Sequence, residues 1–186
     1  MKLLIDFGNT RLKWASLADG RMLPGGVFAH VGKPLPAELR SEWAKLARVE
    51  AVLVASVVAT KSEDELCDFV HERFGVRAAI LHSPAFALGV RNAYAEPARL
   101  GIDRFLALAA LHGARARTQV LASVGTALTL DALGADGRHH GGLIVASPQL
   151  MREAIRTGTA RVCAVDGHFP DMPDNAADAV VSGALY

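Results

Sequence analysis

The chain has 186 residues, 51% of them hydrophobic, and a formal net charge of +1; that is enough for one good core or two small domains, without the basic excess that marks a nucleic-acid or membrane-surface partner. Its longest apolar runs, such as Ala51–Ala59, fall far short of the ~20 residues of a membrane-spanning helix, and no signal-peptide pattern precedes the first strand, which points to a cytoplasmic protein. Cys67 and Cys163 are too few and too far apart for a disulfide scaffold or a CxxC zinc site.

In chain order, Leu3–Asp6 and Lys13–Leu17 read as two strands around the turn "GNTR", where Gly and Asn tolerate positive φ. A third strand is expected over Gly25–Val31, and a helix over Pro36–Ala47 from the spacing of Leu39, Trp43, Leu46 and Ala47. "AVLVASVV" from Ala51 is short, β-rich and apolar on both faces, as a buried strand would be. Ser62–Phe74 predicts an amphipathic helix, with Ser62 and Glu65 as a capping box and Leu66, Phe69, Val70 and Phe74 as its apolar stripe. Val76–Leu81 closes a β-β-β-α-β-α-β order. The turn-rich stretch His82–Gly101 reads as a loop or linker, and Ile102–Ala114 as a helix.

The second half then repeats the opening. Strands are expected over Val120–Val124, Leu128–Leu133 and His139–Ala146, followed by a helix from Pro148 through Arg156, an irregular stretch over Thr157–Asn175 and a last helix from Ala176. "LLIDFGNTRLKWASL" and "VLASVGTALTLDAL" are near-copies, with Ser123 standing where Asp6 stands. Such a repeat predicts two related halves, 1–99 and 100–186, facing one another across a cleft.

The hairpins carry the chemistry. Asp6, at a strand end, can hold magnesium directly or through water. Gly8 permits close approach of a phosphate, the N–H groups and side chains of Asn9 and Thr10 add donors, and Lys13 adds a cation. Gly125 and Thr126 offer a second cradle. One such hairpin could be a plain β-turn; two at corresponding positions favour a triphosphate site. In "LGIDRF", Asp103 could take a proton from a substrate hydroxyl and Arg104 could clamp a carboxylate, unless they are simply a helix N-terminal acid and a surface arginine. Tyr94 is either a packed loop aromatic or one wall of a substrate pocket. His139 and His140 are adjacent on a strand, point to opposite faces and cannot chelate one metal together, while Gly141 and Gly142 allow close passage of a nucleotide or another backbone. The other histidines carry no assignment.

"DFGNTRLKW", "YAEPARLGIDR", "VGTALTLD", "GGLIVASP" and "AADAVVSG" occur in the order found in type III pantothenate kinases, also called the Bvg accessory factor family, and the resemblance spans essentially the whole chain. It implies an α/β fold of two ribonuclease H-like domains, of the actin-like, sugar-kinase and heat-shock-protein ATPase superfamily, with ATP bound between them. It implies phosphorylation of pantothenate on its primary hydroxyl, the first step of coenzyme A synthesis, by a homodimer that uses Mg2+ and a monovalent cation, K+ or NH4+. By the same resemblance Asp6, Phe7, Gly8, Asn9, Thr10, Arg11, Leu12 and Lys13, with Gly125 and Thr126, bind ATP. Tyr94, Gly101, Ile102, Asp103 and Arg104 hold pantothenate; Asp103 is the general base, and Arg104 either meets the substrate carboxylate or orients Asp103.

Three positions depart from the family. Ser123 replaces the aspartate that binds the monovalent cation, so cation dependence is expected to be lost or altered. Ala176 replaces a threonine that contacts substrate in many members. Family members also continue beyond the position of Tyr186, so the second domain is expected to be incomplete. These departures leave room for a non-catalytic nucleotide-binding regulatory protein on the same fold. A different small-molecule kinase fits less well, because "GIDR" accompanies "YAEP".

Overall fold

The computed structural model describes residues 1–30, 35, 37–46, 48–159, 162 and 166–186. Val31, Pro36, Ala47 and Cys163, which figure in the expectations above, lie outside the described residues. The chain divides into two compact units: Met1–Thr118 with Leu133–His140, and Gln119–Ala132 with Gly141–Tyr186. The helix Ile102–Ala114 therefore groups by its contacts with the first unit, although it follows residue 99 in sequence.

In the first unit, β1 (Lys2–Phe7), β2 (Arg11–Ala18) and β3 (Arg21–Ala29) form an antiparallel meander. β4 (Ala51–Ser56) and β5 (Ala78–Leu81) extend it in parallel, giving the order β3-β2-β1-β4-β5. Alternation along β1 sends Leu3, Ile5 and Phe7 into the core, where they join Val52 and Val54 of β4. α1 (Ala37–Ala44) contributes Leu39 and Trp43 to this core, and α2 (Thr60–Phe74) contributes Leu66, Phe69 and Val70. Trp43 is fully buried and its ring stacks on Phe69 with centroids 5.5 Å apart.

Several local expectations shift for identifiable reasons. β3 begins at Arg21 and runs through Pro24, which is tolerated because β3 is an edge strand. Gly25 is required there, since a Cβ would run into the Trp14 ring that packs across it. α2 starts at Thr60, with Ala59 as its N-cap, so Ser62 and Glu65 form no capping box. The N–H groups of Ser62 and Glu63 both donate to the Ala59 carbonyl, which places Ser62 inside the first turn. The His82–Gly101 stretch is not simply a loop. It holds a short hairpin, β6 (Phe86–Ala87) and β7 (Val90–Arg91), and a 3-10 turn at Pro97–Arg99. Leu88 and Gly89 both have positive φ at the hairpin turn, the two-residue connection that matches strand twist. α3 (Ile102–Ala114) packs against β4 and β7.

The second unit repeats the meander: β8 (Gln119–Val124), β9 (Ala127–Leu133) and β10 (His139–Ala146) form a sheet in the order β10-β9-β8, as β3-β2-β1 do in the first. α4 (Pro148–Gly158) follows with Ser147 as N-cap, and α5 (Ala176–Leu185) follows with Asn175 as N-cap; the two helices pack together.

Replacing Trp43 by Ala should cost about 3–5 kcal/mol, because the aromatic core around it cannot close over a void of that size. Urea unfolding followed by far-UV circular dichroism checks this.

Candidate active site

The parallel pairing of β1 and β4 sets the site's position. At their carboxyl-terminal ends Phe7 lies opposite Ser56, and the Val57 N–H donates to the Phe7 carbonyl at 3.1 Å. A Cβ on Gly101, the N-cap of α3, would lie 3.6 Å from Val57 Cγ1, so the α3 N-terminus sits beside this strand edge. Ligands of open α/β sheets bind at such edges.

The β1–β2 turn rises from the same edge. Asp6 pairs across the strands with Lys13, and Lys13 Nζ is 2.9 Å from Asp6 Oδ2. With both side chains roughly half exposed, such a pair contributes only ~0–1 kcal/mol to stability, so its placement is not explained by folding. The Gly8 N–H donates to the Arg11 carbonyl at 3.0 Å and closes the turn, while Asn9 is exposed at its tip. Phe7 and Leu12 are buried in the core. Of the run Asp6–Lys13, these two can therefore offer a ligand only main chain. Arg11 is exposed and Thr10 half-buried.

A second set of residues gathers at the start of α3. Asp103 is exposed, and its Oδ1 accepts the Arg104 N–H at 2.8 Å. Gly101 makes this possible, because a Cβ there would come within 2.5 Å of that oxygen. Ile102 is buried. Arg104 is not a surface residue, being only 7% exposed; its guanidinium donates to the Tyr94 hydroxyl at 3.2 Å and lies 5.9 Å from the Tyr94 ring centre. The Tyr94 ring also stacks on that of His139, near-parallel with centroids 6.2 Å apart. Asn92 fixes the loop: its side chain accepts the Tyr94 N–H at 3.0 Å and donates to the carbonyls of Pro84 and Pro97. His139 is buried and His140 exposed, as their adjacency on a strand requires.

In the second unit, Ser123 is half-buried at the penultimate position of β8, the place Asp6 takes in β1. Gly125 and Thr126 form the β8–β9 turn. The Gly125 N–H is committed to the Ala127 carbonyl at 2.9 Å, so this glycine offers close approach rather than a donor. Ala176 is the first residue of α5. Gly141 has φ +99°, and no atom lies within 4 Å of where its Cβ would be; its backbone conformation, not crowding, calls for glycine.

Among the described residues no group of three or more His, Cys, Asp or Glu side chains could hold a metal ion. Magnesium carried on nucleotide phosphates needs only one or two protein carboxylates, and the half-exposed carboxylate of Asp6 fits that requirement. Burial, and then the charges of Asp64, Glu63 and Asp68, push the Cys67 thiol up, which disfavours its thiolate. Sequence reasoning passed over two polar side chains at the turns, His30 and Ser147. His30 Nε2 is 2.6 Å from the Gly8 carbonyl, and Ser147 Oγ donates to the Thr126 carbonyl at 2.8 Å. Each directly follows a third strand, and a hydrophobicity pattern carries no signal for such a bond.

Residues 2–186 match the family model described as type III pantothenate kinase. A protein named type III pantothenate kinase from Xanthomonas oryzae pv. oryzae (strain PXO99A) is 41% identical over 181 residues, covering 97% of this chain and 72% of that protein. One of the same name from Laribacter hongkongensis (strain HLHK9) is 38% identical over 185 residues, covering 100% of this chain and 74% of that protein. The fold resembles the crystal structure of a conserved Campylobacter jejuni protein assigned to the Baf family of transcriptional activators. That match has a TM-score of 0.59 and 16% identity, over 98% of this chain and 73% of the other. A Sinorhizobium meliloti protein assigned as a 2-dehydro-3-deoxygalactonokinase also has a TM-score of 0.59, at 15% identity, over 91% of this chain and 62% of the other. The shared fold is a mixed α/β one. No helix among the described residues is long and apolar enough to cross a membrane.

Tyr94→Phe removes a hydroxyl that accepts from a buried guanidinium and should lower stability by about 1.5–3 kcal/mol. Tyr94→Leu should cost more, since the stack on His139 goes too; thermal unfolding of the two variants checks the order.

Proposed function

The chain belongs to the type III pantothenate kinase family, and on that premise we propose how its own residues carry the reaction. It is a transferase that moves the γ-phosphoryl group of ATP to the primary hydroxyl of pantothenate, giving 4'-phosphopantothenate for coenzyme A synthesis. The match of the family model over residues 2–186 is the observation that carries this reading.

The roles of individual residues are our assignment. Asp103 is the general base. One of its oxygens is occupied by the Arg104 N–H, which fixes the carboxylate and leaves the other to accept the hydroxyl proton as the oxygen attacks phosphorus. The bond from phosphorus to the bridging oxygen of ATP breaks, and ADP leaves with that electron pair. Gly101 keeps the space the carboxylate occupies. Tyr94 and the backbone of Gly101 and Ile102 line the pantothenate side. Burial of Arg104 and its bond to Tyr94 favour the orienting role over a clamp reaching into solvent.

The turn from Asp6 to Lys13 receives the ATP phosphates through the Asn9 and Thr10 main chain and the Lys13 ammonium; Gly125 and Thr126 are assigned as further ATP contacts by the family resemblance alone. Magnesium held by Asp6 would neutralise phosphate charge and help align the triphosphate; the protein's part is positioning and charge complementarity. Ser123 offers a neutral hydroxyl where the family resemblance places an aspartate, so the monovalent cation contributes less here. A homodimer and a cytoplasmic location belong to this reading through the family resemblance, as does a duplication that relates residues 1–99 to 100–186.

In a coupled ADP-release assay with ATP, magnesium and pantothenate, Asp103→Asn should lower kcat by about 10²–10⁴-fold and leave ATP binding by calorimetry unchanged. ATP binding without any pantothenate-dependent turnover in the native chain would instead indicate a non-catalytic nucleotide-binding protein. Potassium or ammonium titration should leave native turnover nearly flat, and Ser123→Asp should introduce stimulation by either cation.

A further inference from the structure

His30 and Ser147 stand at matching places in the two hairpin repeats. His30 is the first residue after β3, the third strand of the first meander, and Ser147 is the first residue after β10, the third strand of the second. Both are buried, at 8% and 3% exposure. Each bonds to a main-chain carbonyl in the turn that joins the first two strands of its own meander: His30 to Gly8 at 2.6 Å, Ser147 to Thr126 at 2.8 Å. A carbonyl can only accept, so His30 Nε2 carries the proton and donates, as the Ser147 hydroxyl does. His30 is held on both sides of this bond. Its ring lies 4.8 Å from that of Phe7, and its backbone N–H donates to the Thr10 carbonyl at 3.3 Å.

We propose that His30 and Ser147 are paired positioning residues, each locking the peptide orientation of one phosphate-binding turn. The proposal rests on the reading of those turns as the ATP site. In a planar trans peptide the C=O and the following N–H point in opposite directions. Fixing the Gly8 carbonyl toward His30 therefore aims the Asn9 N–H away from the core, and Asn9 is the exposed tip of the turn. Without the latch, the Gly8–Asn9 peptide is free to rotate, because glycine puts little steric restriction on its own backbone. The turn then has to be ordered when nucleotide binds, and affinity falls by that cost. The latches differ in chemistry, an imidazole and a hydroxyl, and in the carbonyl they hold, that of the turn glycine for His30 and that of the residue after the glycine for Ser147; common to both is a buried side chain just past the third strand that bonds into the first turn. Retention of a turn–carbonyl bond through two unlike side chains points to the bond itself rather than to packing.

The test separates donor from bulk. His30→Phe keeps a ring against Phe7 but removes the donor, whereas His30→Gln restores a donor without the ring. Ser147 also caps α4 by accepting the Leu150 N–H at 3.2 Å. Ser147→Gly is therefore the useful change, since glycine caps nearly as well and has no hydroxyl. His30→Phe and Ser147→Gly should each raise KM for ATP about 5-fold, the value of one hydrogen bond. KM for pantothenate should stay unchanged, and His30→Gln should stay near native. Amide hydrogen exchange at Asn9 should accelerate in His30→Phe with no nucleotide present. Native KM for ATP in both donor-less variants, or loss in His30→Gln with retention in His30→Phe, would overturn the latch and leave packing as the role of His30. Lys13→Ala serves as the separate control. If it too leaves KM for ATP unchanged, the turn is not the ATP site and the underlying reading fails; if it raises KM while His30→Phe does not, only the latch fails.

Discussion

The two-residue period of β1 governs the rest of the first unit. Leu3, Ile5 and Phe7 are buried beneath α1 and α2, so Asp6 is obliged to face the other side of the sheet. A slip of one residue would bury the carboxylate and expose three large apolar side chains, at several kcal/mol for each misplaced group. The register of β1 with β2 then follows, and it puts Lys13 directly across from Asp6. Parallel pairing with β4 brings the chain exit at Val57, and through it the start of α3, to the same edge. Core packing thus delivers an acid, a base and a glycine turn to one end of a sheet, although no residue of that set takes part in the core.

The second unit repeats the strand placement but not the burial: along β8 Val120 and Val124 are exposed and Ser123 is half-buried. β8 has the length of β1, and Ser123 takes the penultimate place that Asp6 takes there. The β8–β9 turn is closed by a glycine N–H, as the β1–β2 turn is. What changed is charge: the first hairpin kept an acid and a lysine, while the second kept hydroxyls. The turn Gly125–Thr126 itself carries no ionised side chain, and the acid of this hairpin, Asp131 on β9, is fully buried.

Much of this is legible in the amino-acid sequence. The turn residues in "GNTR" and the short β-rich apolar run "AVLVASVV" pointed to strands of the sheet, helical spacing of Leu66, Phe69 and Val70 to α2, and the near-copy at Val120–Leu133 to the repeat. Element ends were less legible. The pattern Ser62-x-x-Glu65 has the form of a capping box, but backbone geometry set by the exit from β4 started the helix earlier, and intrinsic capping preference is weaker than that constraint. Burial of Arg104 was illegible, because a charged residue at a helix start is ordinarily solvated; Tyr94, one of the groups it bonds, lies in a loop whose path is fixed by Asn92. His30 and Ser147 were hidden for a related reason. A side chain's bond to a distant carbonyl depends on where two strands end, and neither composition nor period encodes that.

The contrast between Asp6–Lys13 and Arg104–Tyr94 separates the two kinds of order in this molecule. The first is an exposed ion pair, screened by solvent, whose loss would barely change folding. The second is a buried charge, whose loss of a partner leaves a desolvated guanidinium underprovided. A group that meets a charged ligand must stay hydrated and free to exchange partners; a group that holds a wall in place must not. The residues at the turn satisfy the first condition and those behind Tyr94 the second, with Asp103 exposed on the first turn of α3 and its carboxylate steadied by a single main-chain N–H. Stability is thus concentrated one layer behind the reacting groups, where it constrains their positions without neutralising them.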